Sequence, residues 1–441
     1  MRRDPFLDVI RVGAILLVVG QHWLMPVLSA TGDTLTTGNA LTTPGWWLLT
    51  WLSQVMPVVF FAGGAANAHS YRTAAGPREW LAGRLGRLVL PVLPLAAVWV
   101  GLPNTMLALG FPAQPVDLAG GITAQLLWFL VVYLAVVLLT PLMVKAHGRF
   151  GAWTLLPLAA GAVLVDAVRF AGLTEAGYLN AVLVWLAVHQ LGICYANGLF
   201  EFGSRLGYWA LAAAGFGTTA LMVACGPYAP SMIGMPGAPV SNMSPPAAVL
   251  LPLALGQLGL LLLARPWLSR LDGPTARALG ARSTTVYLWH MPALVVVAGV
   301  AVLGFGYRTP DPGSVAWFAA APVWLGCATL VLTGLVNVFG RAETLRLGGV
   351  PAGSRVVTGT VITALGLLGL TVRGFSPDGP GLFDGPVPWA AMVVAGLVVG
   401  LWDDREWAAR YGRATHFRLI RLPALPRPLV PAPRRARPAR R

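Results

Sequence analysis

Long apolar runs separated by short polar connections dominate this chain from residue 6 to residue 402. Twelve runs stand out: 6–26, 46–69, 84–102, 122–144, 152–169, 180–200, 207–225, 246–264, 283–304, 315–339, 356–373 and 387–402. Each approaches the ~17–25 residues that a helix needs to cross a bilayer core of ~30 Å. The runs are continuous, without the short alternating segments of a transmembrane barrel. The pattern therefore predicts an all-α fold, a polytopic membrane helical bundle of about 10–12 transmembrane helices. The last two runs are the weakest: Val356–Val372 is short and Gly-rich, and the final one stops at Trp402-Asp403-Asp404. They are candidates for a place peripheral to the functional bundle.

The polar connections predict a direction for the bundle. With the N-terminus inside, the inner loops carry Arg72 and Arg78, Lys145 and Arg149, Arg205, then Arg265, Arg270 and Arg277, then Arg341 and Arg346. The outer loops carry mainly Asp33, Asp117, Glu175, Asp311, Asp378 and Asp384, with Arg308 the clearest exception. Inner loops rich in Lys and Arg are the expected bias, and one span more or fewer would reverse every later loop. The expectation is a multi-pass protein of the plasma or inner membrane, both termini cytoplasmic. Three regions follow: 1–340 as the main transmembrane domain, 341–404 as additional C-terminal helices, and 405–441 as a basic Pro/Arg-rich disordered tail.

Composition supports this class, because 11% charged and 56% hydrophobic residues do not suit a soluble globular chain. The net charge of +15 brings nucleic acid to mind. Eleven of the arginines, however, lie from Arg405 onward, and most of the others sit in short loops. That placement fits anionic lipid, and no nucleic-acid recognition fold accompanies it. Cys194, Cys225 and Cys327 lie in or at the ends of apolar segments and are expected to be buried reduced thiols. Arg2-Arg3, an apolar run and Leu28-Ser29-Ala30 imitate a signal peptide, but Arg11 interrupts the run, which reads as a retained helix.

Ionisable residues within apolar runs are the candidate chemistry, since in a membrane they face a protein interior or a water-filled path. Arg11 and His22 lie eleven residues apart in the first run. At ~100° per residue they share one helix face, roughly 16 Å apart along the axis. The plainer reading has Arg11 snorkelling to one surface and His22 capping the other. Asp8, three residues before Arg11, is placed to pair with it. Arg84 and Arg87, also three apart, can converge on a phosphate-bearing ligand through bidentate guanidinium bonds. Simple anchoring of the inner loop is the alternative. A second candidate site is Tyr287-Leu288-Trp289-His290-Met291-Pro292. His290 lies about two turns into its helix, Pro292 frees the Leu288 carbonyl, and Tyr287 and Trp289 also suit an interfacial aromatic belt. Asp166 and Arg169 suggest a mutual ion pair, with a bond from Asp166 to His22 as the rival. His189, beside Gln190, reads as a satisfied interior histidine. No phosphate loop, metal-ligand spacing or nucleophile elbow occurs, so neither a metal nor a tightly bound cofactor is expected.

Arg-x10-His at Arg11 and His22, Arg-x-x-Arg at Arg84 and Arg87, and Tyr-Leu-Trp-His-x-Pro at 287–292 together resemble the acyltransferase 3 family of membrane-bound O-acyltransferases. The likeness runs from Asp4 to about Phe339. One departure is Gly64, which stands where the family commonly has a serine after its Phe-Phe pair, here Phe60-Phe61. The resemblance implies transfer of an acyl group, often acetyl, from cytoplasmic acyl-CoA to a hydroxyl on a carbohydrate, lipid-linked or secondary-metabolite acceptor. It implies His22 as catalytic base or acyl carrier, assisted by Arg11, with Arg84 and Arg87 at the CoA phosphates. The rival function is a proton-coupled secondary transporter, for which intramembrane His and Arg are equally suited. The missing internal repeat and the phosphate-type arginine pair count against it.

Overall fold

Apolar helices form because a bilayer leaves backbone N–H and C=O groups no water to bond, so each segment must satisfy its own. The computed structural model describes residues 4–202, 204–235, 238–345, 351–376 and 381–402. The basic tail, Arg346 and Asp378 lie outside the described residues. In order, the helices are α1 (Pro5–Leu24), α2 (Thr50–Ser53), α3 (Met56–Arg72), α4 (Pro77–Val89), α5 (Val92–Ala108), α6 (Ala113–Gln125), α7 (Leu127–Phe150) and α8 (Leu155–Phe170). They continue as α9 (Asn180–Tyr195), α10 (Arg205–Cys225), α11 (Leu250–Leu268), α12 (Pro274–Ala281), α13 (Ser283–Ala298), α14 (Val315–Phe339), α15 (Gly353–Arg373) and α16 (Pro386–Leu401).

Ten helical runs among the described residues are long and apolar enough to cross a membrane. One of them, Ala113–Phe170, is 58 residues long. Unbroken it would extend about 87 Å, nearly three bilayer cores. It is interrupted at Leu126 and again at Gly151, whose φ of 57° suits glycine. It therefore contains two of the expected segments, 122–144 and 152–169. The expected segment 387–402 corresponds to α16, a shorter apolar helix of 16 residues. The protein is a multi-pass helical bundle.

Two local differences from the sequence reading matter for the site. The apolar run 84–102 does not form one helix: the chain breaks at Leu90–Pro91, and Arg84 and Arg87 belong to α4, which begins at Pro77. Pro77 opens this helix at little cost, because a first-turn N–H has no intrahelical acceptor to lose. The Thr- and Gly-rich stretch after α1 is also ordered. It forms an antiparallel hairpin, β1 (Pro26–Thr31) with β2 (Thr34–Asn39), paired from Pro26–Asn39 to Thr31–Thr34.

Apolar attraction between helices is weak in lipid, so close backbone approach between small residues takes its place. A Cβ on Gly64 of α3 would lie 1.9 Å from the His189 carbonyl of α9, and one on Gly192 would lie 2.0 Å from the Phe61 carbonyl. Only glycine permits this contact. Gly359, Gly396 and Gly400 bring α15 against α16 in the same way. Helices α15 and α16 are not peripheral. They pack on α4, α6 and α7, and a Cβ on Gly400 would meet Leu85 at 2.8 Å. Residues up to Trp402 form one compact unit.

Cys194 is buried as expected, whereas Cys225 and Cys327 are exposed on the helical surface. Their helices α10 and α14 bury few of their own side chains, so most of each faces outward from the protein.

Candidate active site

The first helix is fixed at both ends. Asp4 caps it by accepting from the Phe6 N–H at 3.0 Å, and Pro5 opens the first turn. The other Asp4 oxygen accepts from the Tyr195 hydroxyl at 2.7 Å and lies 3.5 Å from Arg265, tying this end to α9 and α11. At the opposite end the Trp23 indole donates to the His290 carbonyl at 2.9 Å, and the Trp324 indole donates to the Trp23 carbonyl at 2.9 Å. Helix α1 is thereby clamped between α13 and α14 one residue from His22.

His22 meets His290. Its Nδ1 lies 2.8 Å from His290 Nε2, with the two rings within 9° of parallel. His290 is fully buried and its Nδ1 lies 2.6 Å from the Tyr287 carbonyl. A carbonyl only accepts, so His290 Nδ1 carries the proton and its neutral Nε2 is an acceptor. That acceptor takes the proton on His22 Nδ1, which leaves the lone pair of neutral His22 on Nε2. The geometry thus assigns both tautomers and presents one basic nitrogen, at His22 Nε2.

Helix α13 is itself held firmly. Glu343 accepts from the Thr285 N–H at 2.5 Å and from its hydroxyl at 2.7 Å, capping the helix N-terminus with a negative charge. The Tyr287 hydroxyl donates to the Leu126 carbonyl at 2.7 Å, where α6 gives way to α7. Tyr287 is therefore an interior strut and no belt residue. Trp289 is likewise internal, stacked on Phe339 at 4.0 Å and 3°. Helix α13 runs through Pro292 and ends in a π-helical turn, Gly299–Gly304.

The arginines of α1 and α4 gather at the other end. Arg11 pairs with Asp8 at 3.3 Å, as the spacing predicted. Arg84 donates to the Ser70 hydroxyl at 2.5 Å and lies over the Trp80 ring at 5.6 Å, while Arg87 stays exposed. Arg11 and Arg87 are near enough for their charges to act on Arg84, and that of Arg84 acts on His189. Three guanidiniums, one of them paired with Asp8, suit a ligand carrying several phosphate charges.

A row of side chains joins the two ends along α3. Taken one turn at a time, Ser70 faces Arg84, Asn67 bonds His189 at 3.1 Å, and Gly63 lies under the Tyr133 hydroxyl. Phe60 then contacts Phe129 and Tyr133, both at 5.7 Å between ring centroids. Phe129 lies 5.3 Å from Tyr287, and Tyr287 lies 5.8 Å from His290. The row is mixed, polar near Arg84 and aromatic near His290. Sequence reasoning missed Asn67, Tyr133, Phe129 and Glu343. Asn67 alone carried a signal, as an amide inside an apolar run.

Asp166 belongs elsewhere. It accepts from Asn180 at 2.8 Å, the Tyr228 hydroxyl at 3.0 Å and the Ala248 N–H at 2.6 Å. Arg169 bonds the Ser241 and Pro245 carbonyls. The expected ion pair is therefore replaced by two anchors for the connection between α10 and α11, which shields Asp166 from water and satisfies its oxygens locally. Burial, together with the Asp166 carboxylate, pushes the Tyr228 phenol up. A small open cleft near the His22 end is lined by Trp23, Leu24, Tyr307, Thr309, Trp317 and Trp324 among others, and His22 does not line it.

Residues 4–340 match the model of the acyltransferase 3 family, described as an acyltransferase domain. No curated protein and no solved structure matches the chain.

Proposed function

Since this chain belongs to the acyltransferase 3 family and is a multi-pass membrane acyltransferase, we propose that it moves an acyl group, with acetyl the first choice, from acyl-CoA to a hydroxyl. The acceptor is a carbohydrate, a lipid-linked molecule or a secondary metabolite. The observation that carries this reading is the free Nε2 lone pair of His22, directed by the 2.8 Å bond to His290. His22 Nε2 removes the proton from the acceptor hydroxyl as its oxygen attacks the thioester carbonyl. His290 Nε2 accepts from His22 Nδ1–H throughout and so favours the imidazolium that forms. The same proton, returned from Nε2, neutralises the departing CoA thiolate.

The donor's phosphates are assigned to Arg84 and Arg87, with Arg11 adding charge, and the row along α3 runs from that point to the His pair. Arg11 and His22 are about 16 Å apart along α1, so a donor with a long flexible arm reaches from one to the other. Loop charge directs the arginine end, and both termini, toward the cytoplasm. The location follows as the plasma or inner membrane. Against the transporter reading stands the family match, which is to an acyltransferase domain.

The test is binding and turnover in purified protein: acyl-CoA should bind, and acyl-CoA hydrolysis or transfer should vanish in the His22→Ala variant. Protein that neither binds acyl-CoA nor turns it over would refute the donor. A reporter fused after Arg410 should appear on the cytoplasmic side, and an outer signal would overturn the orientation.

A further inference from the structure

Midway along α3, between the arginines and the histidine pair, sits a fully buried polar contact. Asn67 and His189 are both inaccessible to solvent, and one side of each is joined by the 3.1 Å bond between Asn67 Nδ2 and His189 Nε2. The opposite atoms, Asn67 Oδ1 and His189 Nδ1, have no hydrogen-bond partner among the described residues. If the Asn67 amide nitrogen donates to Nε2, then His189 Nδ1 carries a proton and Asn67 Oδ1 is a free acceptor. If the Asn67 amide is turned over, the two roles exchange. Either way one buried donor and one buried acceptor are left over, and buried polar groups in native proteins are otherwise almost always paired.

One donor and one acceptor complement a secondary amide, which offers one C=O and one N–H. We propose that Asn67 and His189 form the seat for a secondary amide of the donor's pantetheine arm. The inference rests on the acyl-CoA reading above and adds the residues that hold the arm between its charged end and its thioester. Position supports it. Asn67 lies one helical turn from Ser70, which Arg84 grips, and one turn from Gly63, where the Tyr133 hydroxyl begins the aromatic approach to His290. Arg84 is near enough for its charge to act on His189. A purely structural clamp between α3 and α9 would not require the leftover atoms, because the glycine contact already holds those helices together.

The experiment uses the full-length purified protein and three probes: 4′-phosphopantetheine, its two singly N-methylated analogues, and adenosine 3′,5′-bisphosphate. N-methylation removes one amide N–H while leaving the phosphate unchanged. In the wild-type protein one of the two methylated analogues should bind at least about tenfold more weakly than the parent, as expected when a buried acceptor loses its partner. In Asn67→Leu that difference should disappear, while adenosine 3′,5′-bisphosphate binds as in the wild type and reports an intact fold. Equal affinity of the wild type for the parent and both methylated analogues overturns the amide seat, and this measurement does not depend on any variant folding. If the wild type binds neither phosphopantetheine nor the bisphosphate, the acyl-CoA reading itself falls and the seat falls with it.

Discussion

His22 and His290, 268 positions apart in the chain, share a 2.8 Å hydrogen bond between Nδ1 of the first and Nε2 of the second. Because the Tyr287 carbonyl holds the proton of His290 on its far nitrogen, the bond has one direction and His22 is left with its Nε2 basic.

Replacing His22 with Ala should lower transfer by a factor of about 10²–10⁴, the usual contribution of a positioned base. His22→Gln should be as inactive, since it fills similar space without a titratable nitrogen. Acyl-CoA affinity should remain near the wild-type value in both. A single-turnover assay alongside equilibrium binding measures the two quantities, and an Ala variant retaining most of its activity would refute the assignment.

His290 acts through His22 and is a positioning residue. His290→Phe should remove the acceptor for His22 Nδ1–H and slow transfer strongly. His290→Gln, whose side-chain oxygen can still accept that proton, should recover part of the rate. Rescue by Gln over Phe, with KM for the donor unchanged, separates orientation from packing; equal rates in the two variants would assign His290 to the core alone.

Arg84→Ala should weaken acyl-CoA binding while leaving binding of a phosphate-free acyl thioester unchanged. Lys at position 84 should restore only part of the loss, because it offers a point charge without the guanidinium fork. Arg87→Ala should act in the same direction more weakly, since Arg87 is exposed to solvent screening. Unchanged donor affinity in the double Ala variant would leave both residues as anchors of their loop.

Gly64→Ala should destabilise the bundle, because its Cβ would fall 1.9 Å from the His189 carbonyl and force α3 from α9. A cost of about 1–3 kcal/mol or more is typical of overpacking. Gly13→Ala in α1 is the control, with nothing within 4 Å of its added carbon. Thermal unfolding in detergent should fall for the first and hold for the second.

The apolar runs determined the helices and the membrane class by themselves, because a segment that must satisfy its own backbone in lipid has few alternatives. The Arg11–His22 face and the Asp8–Arg11 pair were equally local, set by 3.6 residues per turn. What required the tertiary structure was every relation between segments. His290 was visible as a buried candidate, yet nothing within 283–304 identifies His22 as its partner. That contact depends on the Trp23 indole reaching the His290 carbonyl and on Glu343 capping α13 from the end of α14. Asp166 went astray for the same reason. Its local neighbour Arg169 suggested an ion pair, but Asn180, Tyr228 and Ala248 reach it from two other parts of the chain. Helical periodicity places residues on a face, whereas the partner across that face depends on which helices can approach closely enough, and here glycines such as Gly64 and Gly192 decide that.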